Sequence, residues 1–172
     1  MLLRMLELGT YQIDEVVNFD TGLEFPAMYA HIKKVKSIVE AHGVSFTILK
    51  ADKSFKYYLL EYEYKGKNGE ILKGYHIHPL VDWGWSEADA LKYCYDKGYG
   101  WGGLYEIFAR VSCWLCPLQR IKEAKKLWKY FPDLWEELKF MDAQTRTPWK
   151  TNYSVEQLER RFAAEEKQLT LL

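Results

Sequence analysis

The chain has no net charge: 24 Lys and Arg stand against 24 Asp and Glu in 172 residues. That balance excludes a global electrostatic attraction to nucleic acid or to an anionic membrane, and leaves open only a local basic patch. Long apolar runs are also missing. No stretch approaches the roughly 18 uninterrupted apolar residues of a membrane span, and the opening MLLRMLELG is too short and too charged for a secretory signal. Cysteine is scarce, at three. An odd number with two members in a C-x-x-C argues against a disulfide framework and for a reducing compartment, with a metal, cluster or redox role. These absences together predict a cytoplasmic protein.

What is present suffices for a core. With 48% hydrophobic residues and no repeat or low-complexity linker, the simplest organisation is one domain over residues 1–172, with an α/β part at 1–80 and a mainly helical part at 81–172. Met1 to Leu8 has helical spacing and Gly9 stands at the C-cap position. Ile13 to Phe19 reads as a strand with Val16, Val17 and Phe19 buried. Pro26 then opens a helix to His42, its apolar face carrying Tyr29, Ile32, Val35, Ile38 and Val39, and Gly43 stops it. Val44 to Leu49 is the next strand, so strand, helix and strand form a parallel β-α-β unit with a right-handed crossover. Phe55 to Tyr64 stays open between strand and helix, and KGKNGE at 65–70 is a turn.

In the second half, Ser86 caps a helix, Asp89 supports its first turn and Gly98 ends it. After the glycine-rich GYGWGG, four helices are expected: LYEIFAR, PLQRIKEAKKLWKYF, PDLWEELKFMDAQ and SVEQLERRFAAEEKQ, two of them opened by Pro117 and Pro132. The pattern therefore predicts a partial sheet followed by a helical end.

Chemistry-bearing residues gather in a few places. In VVNFDTGLEFP, the acid, hydroxyl and glycine of Asp20, Thr21 and Gly22 fall where a strand ends, which is where ligands bind in α/β sheets; the competing reading is a turn that satisfies its own backbone. Cys113 and Cys116 are spaced so that both sulfurs reach one metal or one disulfide, with Cys94 a third candidate; the competing reading is a pair of packed small hydrophobes. A helix opened by Pro117 would put its amides near these thiols and favour thiolates. His76 and His78, two apart, share one face if they lie on a strand. Trp101 is placed to stack on an adenine or a nucleic-acid base, whereas Trp83, Trp128 and Trp135 read as core. Arg120, Lys122, Lys125, Lys126 and Lys129 form a polar helix face, solvated or phosphate-binding.

Three segments, FDTGLEFPAMYAHIKKV, HPLVDWGWSEADALKYCYDKGY and SCWLCPLQ, resemble the phosphoadenosine phosphosulfate (PAPS) reductase family, in particular its phage and bacterial PAPS reductase-like proteins. The resemblance covers most of the chain. It implies an α/β fold of the adenine-nucleotide α-hydrolase type, here a partial doubly wound parallel sheet with a helical C-terminal part. It also implies an adenylyl nucleotide (ATP or PAPS) at the strand ends, with Asp20, Thr21, Gly22 and Phe25 in the nucleotide pocket. Cys113, Cys116 and Cys94 would then hold an iron–sulfur cluster or zinc. Two departures accompany the match. The family's S-G-G-K-D-S phosphate loop is absent from this sequence, as is the Arg-Trp-Cys-Thr motif that many relatives carry ahead of the P-L-x-x-W segment. Two functions are thus expected: a nucleotide-binding enzyme of sulfur or adenylyl chemistry, or a catalytically inactive remnant or binding protein that keeps the fold. The incomplete sheet predicts an apolar edge covered by the opening helix, a protein partner or a second copy.

Overall fold

The computed structural model describes residues 1–54, 78–111, 113–146 and 148–170. The expectations for Phe55–Tyr64, KGKNGE and His76 lie outside them. The described elements run in the order α1 (Leu2–Leu8), β1 (Glu15–Asp20), α2 (Pro26–Ala41), β2 (Ser45–Lys50), α3 (Pro79–Asp82), α4 (Glu87–Asp96), a 3-10 turn (Trp101–Gly103), α5 (Leu104–Ile107), α6 (Ile121–Tyr130), α7 (Pro132–Gln144) and α8 (Val155–Thr170). The fold is mixed α/β, and β1 and β2 pair in parallel as the β-α-β pattern predicts. Among the described residues no helix is long and apolar enough to cross a membrane.

Chain contacts gather into two compact units. The first contains Met1–Phe19, Pro26–Leu49 and residues 78–104. Its helices end as their glycines require: Gly9, at φ 61°, caps α1 by donating from its amide to the Met5 carbonyl at 3.1 Å. In α2 only Val39 is fully buried, and Tyr29, Ile32, Val35 and Ile38 are half-buried. Ser86 and Asp89 form the expected capping box of α4. Two features call for glycine at 102: its φ of 61° is one that side chains disfavour, and a Cβ there would lie 2.8 Å from the Cβ of Ala27 in α2. The 3-10 turn is thereby seated against α2.

The strand is not buried as expected. Burial alternates along β1, and Val17 and Phe19 face out at 42% and 73% exposure. Successive strand side chains point to opposite faces, so Val16 and Asn18 share the half-covered side and Val17 and Phe19 the open one. A run of apolar residues is ambiguous in this respect, because it fits a two-sided burial that the two described strands do not provide.

The second unit, Asp20–Phe25, residues 50–54 and the described residues from Tyr105 on, holds most of the fully buried large side chains. Ala124 and Leu127 of α6, Trp135, Leu138 and Met141 of α7, and Val155, Leu158 and Phe162 of α8 recur at helical spacing and are all buried. Two helices differ from expectation. LYEIFAR is helical only to Ile107, because the Ala109 amide is taken by the Glu123 carboxylate at 3.1 Å rather than by a helical carbonyl. Pro117 opens a turn, and the helix begins only at Ile121. Trp83 and Trp128, expected in the core, are half-buried, and only Trp135 is fully so.

Candidate functional site

The two motifs singled out in the sequence meet inside the second unit. Asp20–Phe25 is a tight turn after β1. The Gly22 amide donates to Asp20 Oδ1 at 2.9 Å and the Leu23 amide to Thr21 Oγ1 at 3.3 Å, while Gly22 takes φ 75°. Open space surrounds the Gly22 Cβ position, so glycine is required there by φ alone. Asp20 Oδ2 pairs with Lys50 Nζ at 3.0 Å, and the Asp20 side chain is only 9% exposed. Phe25 is 1% exposed and packs its ring on Phe108 and Phe131 at 5.3 and 5.0 Å, so its side chain serves the core.

From this turn the Leu23 carbonyl accepts the Trp114 amide at 3.2 Å. Cys113 and Cys116 flank that contact. Both thiols are free and half-buried. Burial, the neighbouring Cys116 and the charge of Glu24 push the Cys113 thiol up to about 11, and the two thiols hydrogen-bond. Glu24 is itself held above the ordinary carboxylate range by burial, against the hydrogen bond it accepts from Thr21 Oγ1 at 3.4 Å. The expected thiolate at a helix start is therefore corrected for Cys113: the helix begins beyond Arg120, the thiol's surroundings are desolvating and carry an acid, and it stays protonated at neutral pH.

Residues that no motif marked hold the cysteine loop in place. Trp149 Nε1 donates to the Leu115 carbonyl at 2.7 Å, and Lys150 Nζ donates to the carbonyls of Pro117 and Gln119. The Asp142 carboxylate in turn accepts the amides of Trp149 and Val155 at 2.5 and 2.7 Å. These contacts link segments far apart in sequence, and only a lysine and a tryptophan after a proline hint at them.

The remaining candidates fall elsewhere. Cys94 lies half-buried in α4 of the first unit, where burial raises its thiol. His78 is the N-cap of α3, where the strand reading placed it on an extended segment. Trp101, at φ 45°, packs against His31 at 5.0 Å and Tyr95 at 5.9 Å within its own unit. On the basic helix, Lys125 and Lys129 pair with Glu165 and Glu166 of α8 at 2.7 Å each, and Lys126 with Glu123 at 3.0 Å, so most of that face binds carboxylates of the same chain. As a metal site, the C-x-x-C supplies two sulfurs where zinc or an iron–sulfur cluster takes four ligands. Among the described residues no group of three or more His, Cys, Asp or Glu is placed to hold a metal ion. No family model, curated protein or solved structure matches the chain.

Proposed function

We propose that the chain is a PAPS reductase-like protein that binds an adenylyl nucleotide (ATP or PAPS) beside a cysteine pair and carries out sulfur or adenylyl chemistry there. The observation that supports this reading is the backbone hydrogen bond between Leu23 and Trp114, which joins the strand-end turn to the C-x-x-C loop in one unit. The nucleotide would lie against Asp20, Thr21 and Gly22, and the Cys113–Cys116 pair would serve as a dithiol in a reducing cytoplasm. An iron–sulfur cluster or zinc on Cys113, Cys116 and Cys94 belongs to the same resemblance and needs donors beyond those that the described residues gather.

A second reading, a binding protein that keeps the fold without catalysis, is favoured by a specific observation. Both oxygens of Asp20 and the hydroxyl of Thr21 are already engaged within the turn and with Lys50, and Phe25 is committed to the core. A partner or second copy over the exposed Val17 and Phe19 would suit this reading. Calorimetry with ATP and PAPS separates the two. Binding that Thr21→Ala weakens supports the enzyme, and absence of heat with both nucleotides supports the binding protein. Iron, sulfide and zinc analysis after anaerobic purification, repeated on Cys113→Ser, tests the metal.

A further inference from the structure

The second unit contains a cavity of about 560 Å³ whose lining includes Arg110, Val111, Cys116, Gln119, Arg120 and Lys122. That volume is within the roughly 300–1,000 Å³ typical of small-molecule sites. Its electrostatics are one-sided. The one carboxylate among the described lining residues, Glu123, is already used: Oε1 pairs with Lys126 at 3.0 Å and Oε2 accepts the Ala109 amide at 3.1 Å. Arg110, Arg120 and Lys122 have no ion pair or side-chain hydrogen bond among the described residues, although Lys125, Lys126, Lys129, Lys139, Arg160 and Arg161 of the same unit are all matched to carboxylates. Three unmatched cations thus line one concavity, in a chain whose 24 cations and 24 anions balance only when these three are counted.

One further feature points the same way, and a second supplies an acceptor beside it. Helix α6 begins among these lining residues, at Arg120 and Lys122, with no capping side chain, so the positive end of its dipole adds to their charge. Gln119, also in the lining, buries its side-chain oxygen without a partner among the described residues, and it can accept from a hydroxyl or amine next to the anion.

We propose that this cavity is an oxyanion site, binding the phosphate or sulfate group of a small organic monoester, with the Cys116 thiol on its wall. Arginine forks and a helix start are the donors such tetrahedral dianions take, and the volume beyond the anion accommodates an organic body. None of the lining residues belongs to Asp20–Phe25, so the site stands or falls separately from the nucleotide turn.

The test uses the full chain and inorganic phosphate or sulfate as probe, at ionic strength held constant with chloride. Each anion is expected to protect Cys116 saturably from iodoacetamide, read by peptide mass spectrometry. The Arg120→Gln/Lys122→Gln double variant should raise the half-protecting concentration roughly tenfold or more, since two charge-assisted hydrogen bonds are lost. Both side chains are exposed, so an unchanged melting temperature verifies the fold, and Arg146→Gln/Lys167→Gln, exposed and outside the lining, should protect like the parent. Absence of protection by both anions overturns the proposal. So does an equal loss in the two double variants, as does protection by single-stranded oligonucleotide alone, which would make the cations a nucleic-acid surface.

Discussion

At the scale of single residues, Glu24 connects the turn to the thiols. Burial raises its carboxyl above the ordinary 4.5, so the folded state holds that proton more tightly than the unfolded chain. The penalty for ionising it in the fold is absent below 4.5 and fully present above the raised folded value. Glu24→Gln keeps an acceptor for Thr21 and removes the charge. Its melting temperature should exceed the parent's at pH 7, and the two should converge as the pH falls below 4.5; a constant gap across that range would show that the stabilisation is not electrostatic. Because Glu24 also raises the Cys113 thiol, the same variant should alkylate faster at Cys113 at pH 8. The sequence singled out Asp20, Thr21 and Gly22 but not Glu24. A lone acid in a turn has no pattern, and its importance arises from a cysteine loop that only the fold brings alongside.

At the scale of elements, helices were more legible than strands. The Ser86 box, the Gly9 cap and the core position of Trp135 follow from local chemistry, and all of them stand in the structure. Burial of Val17 and Phe19 depended on what else packs on the sheet, which periodicity does not carry. Pro117 misled for a related reason: proline suits a first helical turn and also a tight turn, and here Lys150 holds the carbonyls of Pro117 and Gln119 in the latter. That clamp should be measurable. Lys150→Met removes two charge-assisted hydrogen bonds, with a cost of about 1.5–3 kcal/mol each when the carbonyls lose their partner. The Cys113–Gln119 loop should loosen before the helices do. Iodoacetamide labelling of Cys116 at pH 8 should accelerate severalfold at a temperature well below melting, and an unaltered rate would mean that Trp149 alone holds the loop.

At the scale of the whole molecule, the balance of 24 cations and 24 anions places the chain near zero net charge at pH 7. Proteins without net charge lose the repulsion that keeps copies apart. With Phe19, Leu118, Val81 and Phe140 between 64% and 90% exposed, light scattering at fixed concentration should peak close to neutrality and fall at pH 5 and pH 9. A minimum near neutrality would indicate that the apolar positions are covered in solution.

The turn after β1 also has a bearing on how this sequence can change. Asp20–Phe25 sits between two elements of the first unit and is counted with the second, so the residues that judge a substitution there are not its neighbours along the chain. The backbone at Leu23 is held by the Trp114 amide, a new side chain at Glu24 is tested against Cys113, and one at Phe25 against Phe108 and Phe131. Variation in this short stretch is tolerated or rejected by partners roughly eighty to a hundred positions downstream, and a swap of the turn between related chains would carry over its behaviour only if the cysteine loop travelled with it.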